Sequence, residues 1–140
     1  MNSKYKYLIL LYLTTLNVLS FIDRQLLVSF SNFIVPDLGL SNTQFGILTG
    51  LAFIIFYSVM GVMMGAIADR IHRPKFMAIG VALWSLLTAA TGMAKSFWML
   101  LIPRIFIGVG ESILTPTAIS YMSDYFPRRN MGFVAGFYNI

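Results

Sequence analysis

Apolar residues fill this chain in four long blocks, separated by short clusters of charge, glycine and proline. The blocks run near Tyr7–Val35, Phe45–Ala68, Phe76–Ala94 and Phe97–Met122, and a fifth begins at Met131 and reaches Ile140. Each complete block has about the 17–25 residues that cross a hydrocarbon core of ~30 Å, and the first is longer. A bilayer interior offers backbone amides no water, so each block is predicted to be an α-helix. Lys4 and Lys6 precede the first block as they would a signal peptide. Its length, its internal Asp23-Arg24 pair and its lack of a small-residue cleavage site predict a retained helix instead.

Composition supports the same solvent. The chain is 58% hydrophobic and 11% charged, where soluble domains carry roughly a quarter charged residues. In a chain of 140 residues, that much apolar surface needs lipid, which predicts an all-α integral membrane fold. There is no cysteine, hence no disulfide or thiolate chemistry. The net charge of +5 is spread over short loops, which fits membrane orientation better than nucleic-acid binding. Lys4, Lys6, Arg70, Arg73, Lys75, Arg128 and Arg129 fall on one side of the spans, and Lys95 alone on the other. The N-terminus and the loops after the second and fourth helices are therefore predicted to be cytoplasmic.

Four ionisable residues remain inside the apolar blocks: Asp23 and Arg24 in LSFIDRQLL, Arg104 and Glu111 in PRIFIGVGES. An ionisable group near mid-membrane costs roughly 2.5–3.5 kcal/mol to insert. Together the four are neutral. Neighbours on a helix point ~100° apart, so Asp23 and Arg24 are expected to meet partners on the fourth helix rather than each other. Arg104 and Glu111, seven apart, share a face, with Gly108 between them leaving room for a ligand or a neighbouring backbone. Such charges either clamp two helices or wall a polar cavity. The cavity is the expectation, because a buried ion pair is weak support for cohesion alone.

The second block holds Gly46, Gly50, Gly61 and Gly65, a G-x-x-x-G pair at each end, which predicts close helix approach there. It runs into GAIADRIHRPK. Asp69 sits at its own helix's negative end and is expected to need a positive partner, either a neighbouring basic residue or the N-terminus of a helix missing from this chain. Asp124, in DYFPRR, lies on the same side, with Arg73 as its candidate partner.

GAIADRIHRPK resembles the loop 2–3 signature of the major facilitator superfamily, G-x-x-x-D-R-x-x-R-x-[RK]. LGLSNTQFGILTGLAFIIFYSVMG, ALWSLLTAATGMAKSFWMLLIPRIFIGVGES and SDYFPRR resemble its spinster-like branch, and the similarity covers nearly the whole chain. The resemblance implies a twelve-helix transporter of two six-helix halves, of which this chain would be the N-terminal part, with substrate bound between the halves near mid-membrane. It implies amphipathic organic anions or lipid-like molecules as substrates, protons as the coupling ion, and a bacterial inner membrane as the location. The missing C-terminal half is the implied partner, since one half has nothing to rock against. Family positions for intramembrane charges fall on Asp23, Arg24, Arg104 and Glu111, and those of a conformational latch on Gly65, Asp69, Arg70 and Arg73, with Asp124 on the same side. His72, Pro74 and Met131 depart from the family pattern and bear on the latch alone.

The expected chemistry follows. Arg24 and Arg104 would hold an anionic head group, because guanidinium stays charged and forks onto carboxylate or phosphate. Glu111 would carry the proton, with Asp23 the second candidate. Tyr57, Phe53 and Trp84 are candidates to line a path for an apolar tail. GVGES lacks the third glycine of a dinucleotide loop and reads as a packing notch, and no phosphate-binding loop is present. The single His72 reads as a loop side chain, so no metal or other cofactor is expected. An enzyme would need a nucleophile and base that this sequence lacks. A small four-helix oligomeric exporter and a non-transporting membrane scaffold are the alternatives.

Overall fold

The computed structural model describes residues 3–140, and every regular element in them is helical. The first block is two helices rather than one. α1 spans Ser3–Ser29 and α2 spans Ser31–Asp37, with a turn at Phe30 between them. Leu40 N–H donates to Val35 O at 2.9 Å and Gly39 N–H to Pro36 O at 3.3 Å. Gly39 adopts φ +60. This is a Schellman closure, which places the one left-handed residue at glycine.

The next rod is continuous: α3 (Asn42–Gly46), a π-turn (Ile47–Leu51) and α4 (Ala52–Ala68) join through right-handed helical residues at Gly46 and Leu51. It starts at Asn42, ahead of the expected Phe45, because Ser41 caps it. The Ser41 hydroxyl accepts from Gln44 N–H at 3.2 Å, and Gln44 Oε1 accepts from Ser41 N–H at 2.9 Å. α5 (Arg73–Thr91) also starts earlier than its apolar run, at Arg73 rather than Phe76. Pro74 fits the first turn, where its missing N–H is no loss. His72 is exposed, as expected of a loop residue, but it caps this helix, accepting from Lys75 N–H at 3.4 Å. α6 spans Phe97–Ser123, and α7 (Met131–Tyr138) follows a short turn at Arg128–Asn130. Four helical stretches, Lys4–Ser29, Asn42–Ala68, Arg73–Thr91 and Phe97–Ser123, are long and apolar enough to cross a membrane.

α6 is the axis of the bundle. α4 and α5 lie along it, and α1 touches it and α7. The tightest crossing joins α5 to α6 at two glycines: a Cβ on Gly80 would sit 2.9 Å from Gly110 O, and one on Gly110 would sit 3.0 Å from Gly80 O. GVGES is thus a packing notch, as its sequence suggested. The glycines of the second block behave differently. Only Gly65 meets a neighbour, Pro116 Cβ at 3.5 Å, whereas Gly46, Gly50 and Gly61 face open space among the described residues. Ile54, Ile55, Val59 and Val62 on α4 point outward, as a lipid-facing surface requires. α1 and α5 stand apart, leaving two mainly apolar recesses of about 430 and 480 Å³ between them.

Candidate functional site

Ser20 and Arg24 are one helical turn apart on α1 and so share the face turned toward α6. Arg24 Nε lies 3.0 Å from Glu111 Oε2. The Ser20 hydroxyl stands between them, accepting from Arg24 Nη2 at 3.0 Å and donating to Glu111 Oε2 at 2.8 Å. The Glu111 side chain is fully buried, while that of Arg24 is 29% exposed. The second pair is looser. Arg104 Nη1 is 3.9 Å from Asp23 Oδ2, and Arg104 Nη2 donates to the backbone carbonyl of Arg24 at 3.3 Å. Asp23 and Arg24 therefore reach α6 separately, as their angular offset requires. The break at Phe30 places them nearer the C-terminal end of α1 than a single long helix would, whereas Glu111 stays in the middle third of α6.

Polar capacity is left over. Among the described residues, Asp23 Oδ2, Arg104 Nε, Glu111 Oε1 and Thr88 Oγ1 are buried without a hydrogen-bond partner. Buried polar atoms are rarely left so.

The network opens on two sides. Arg24 lines a recess of about 340 Å³ of mixed polarity, with Asn17, Tyr57, Thr115 and Asn139 beside Val18, Phe21 and Ile140. Asp23, Thr88 and Arg104 line the largely apolar recess of about 430 Å³, beside Leu26, Leu27 and Ile107. The two arginines share the ring of Phe53, with Cζ 5.5 Å (Arg24) and 5.0 Å (Arg104) from its centroid, but they face different recesses. Gly108 provides room, and the α4 backbone takes it: a Cβ there would lie 3.3 Å from Phe53 O. The aromatics suggested for a tail path, Tyr57, Phe53 and Trp84, do not line one recess together among the described residues. Phe53 and Trp84 are core residues, Trp84 pressed against Gly110, and only Tyr57 of the three borders a recess.

At the other end of α4, Gly65 packs on α6 and Asp69 accepts from the Ser120 hydroxyl at 2.9 Å. Asp69 makes no ion pair among the described residues, where the Ser120 hydroxyl is its partner. Arg73 Nη1 forms a hydrogen-bonded ion pair with Asp124. Arg70 is exposed. The α4–α5 loop is thus tied to the end of α6 at two points. No group of three or more His, Cys, Asp or Glu among the described residues could hold a metal ion.

Sequence reasoning missed Ser20 and Thr88. Ser20 had a usable signal, its spacing of four from Arg24; Thr88 had none, because only packing brings α5 beside Asp23.

A sequence model described as Major Facilitator Superfamily matches residues 13–140. The chain belongs to that superfamily. It is 33% identical to the hexuronate transporter of Bacillus subtilis (strain 168), over 99% of this chain and 33% of that protein. It is 31% identical to protein spinster of Drosophila melanogaster, over 79% of this chain and 18% of that one. It superposes, with a TM-score of 0.92 and 36% identity, on a crystal structure of a bacterial homolog to the human lysosomal transporter Spinster, inward-facing and occupied. That match covers 99% of this chain and 30% of the other. The facilitator chain is therefore spinster-like, its helices form part of a larger fold, and its relatives are transporters rather than enzymes. It spans about a third or less of the length of these relatives.

Proposed function

We propose that this chain is the N-terminal part of a secondary active transporter. It moves small organic anions or lipid-like amphipathic solutes by alternating access, coupled to protons, with the C-terminal half completing the substrate cavity. The observation that carries this reading is the neutral four-charge network of Asp23, Arg24, Arg104 and Glu111, buried between α1 and α6 with unpaired polar atoms left over.

Within it, Arg24 is the arginine that presents itself to an anion, because it is part-exposed on a recess lined with hydrogen-bonding side chains. Arg104 stands behind it, holding the Arg24 carbonyl and facing Asp23, and contributes positive potential to the same site. Glu111 is the proton carrier. Its Oε1 is free to take a proton while Oε2 keeps Arg24 and Ser20, so neutralising it loosens Arg24 without breaking the network. Asp23 is the second titrating group. Gly65, Asp69, Arg70, Arg73 and Asp124 form the cytoplasmic latch. The setting is a bacterial inner membrane with the N-terminus inside.

A hexuronate carrier among the relatives favours a hydroxylated carboxylate, and a lipid-like amphipath is the alternative that the spinster-like resemblance implies. The test is uptake by the full-length protein in proteoliposomes, with radiolabelled galacturonate and a lysophospholipid as probes. Saturable uptake of one of them, abolished in Arg24→Ala at equal folded protein, is expected. Uptake of both at the level of empty vesicles contradicts the reading.

A further inference from the structure

Phe53 has no polar side-chain atom, lines neither recess of the network and is 4% exposed. Yet the buried guanidinium of Arg104 and the part-exposed one of Arg24 both lie against its ring, and Arg24 also lies 5.2 Å from the ring centroid of Tyr57. Two arginines drawn together in a medium of low dielectric repel. The negative face of an aromatic ring is a surface that attracts both. The ring has little freedom to move. Tyr57 stacks on it at 5.5 Å and 19°, and the backbone on either side, Phe53 O and Tyr57 N, fills the notch at Gly108.

The hydrogen bonding of Arg24 gives this contact a consequence. Its Nε faces Glu111 and its Nη2 donates to Ser20, while no hydrogen bond from its Nη1 is found among the described residues. With two nitrogens held inward and its Cζ beside two aromatic rings, the guanidinium is confined, and its Nη1 edge is the one available to a ligand. We propose that Phe53 is a positioning residue for anion binding: it confines the Arg24 guanidinium and joins it to Arg104, so that the two ion pairs act as one unit. This rests on the reading that Arg24 receives the anion.

Fluorinated phenylalanines at position 53 test it, because one, two or three ring fluorines weaken the negative face while nearly preserving size. In the full-length protein in proteoliposomes, KM for galacturonate should rise with each fluorine, by about tenfold overall, with kcat within about twofold of the parent. Phe53→Trp, with the stronger cation-binding ring, should keep the parental KM, and Phe53→Leu should match the trifluorinated ring. A flat KM across the fluorinated series overturns the proposal. A second measurement needs no substrate. Phenylglyoxal modification of Arg24, read by mass spectrometry, should accelerate in the same order as the fluorines, and equal rates for every ring overturn it equally. Arg24→Lys separates the two levels: an unchanged KM there removes the anion-binding reading, and the modification series then decides alone whether Phe53 holds Arg24.

Discussion

Arg24 and Glu111 meet at 3.0 Å across the α1–α6 interface, the carboxylate wholly buried and the guanidinium part-exposed. The asymmetry matters. A fully buried pair would be hard to disturb, and a surface pair would be worth little. Here one partner stays within reach of solvent and ligand while the other depends on it for charge compensation.

Ser20 is the joint of that pair, so Ser20→Ala should cost about 1.5–3 kcal/mol, the range for hydrogen bonds to charged groups. Thermal unfolding in detergent checks this. A double-mutant cycle with Glu111→Ala should be strongly non-additive, since both substitutions remove the same contact. Additive losses would show that Ser20 and Glu111 do not act through each other.

Packing makes an equally sharp contrast between two glycines. Gly80→Ala places a methyl 2.9 Å from Gly110 O, which forces a backbone shift and should cost about 1–3 kcal/mol. Gly61 has nothing within 4 Å of an added Cβ, so Gly61→Ala should stay within about 0.5 kcal/mol. Unfolding midpoints of the two variants measure the difference, and equal midpoints would sink the crossing described at Gly80.

Those glycines also mark where sequence stopped being informative. The four spans were legible because lipid demands long apolar helices. Their starts were less so: the Ser41 cap and the Pro74 first turn extended two helices beyond their apolar runs. The break at Phe30 had no signal in composition. G-x-x-x-G spacing named small residues but not the face that meets a partner, so it pointed to Gly46 and Gly50 when the close contact was at Gly80 and Gly110. Charges inside apolar blocks were conspicuous, and their pairing across α1 and α6 followed from helix geometry. The ring between the arginines was not legible, because an apolar aromatic in an apolar span looks like any core residue.

At the end proposed to be cytoplasmic, Asp69 and Asp124 should behave differently. Asp124 is 54% exposed in its pair with Arg73, so Asp124→Asn should change stability by less than about 1 kcal/mol. Asp69→Asn should weaken cytoplasmic closure in the full-length protein while leaving affinity for substrate intact. The sequence contains no cysteine, so single introduced cysteines can report cytoplasmic accessibility. Unchanged labelling in a correctly inserted Asp69→Asn protein would remove Asp69 from the latch.

Topology offers a direct check on the charge distribution. A reporter fused after Lys75 should read as cytoplasmic and one fused after Lys95 as external. The reverse pattern for both fusions would invert the proposed orientation.

The central claim is that Glu111 carries the proton that drives transport, and the most direct measurement pairs pH-gradient-driven uptake with thermal stability. Glu111→Gln keeps the side chain's size and its contact with Ser20, and removes its charge. In the full-length protein in proteoliposomes, it should remain folded, lose accumulation of galacturonate or lysophospholipid against a gradient, and retain exchange down one. Normal pH-driven accumulation per folded molecule in Glu111→Gln would contradict the claim and shift the role to Asp23. If Asp23→Asn also accumulates normally, the network is a structural clamp.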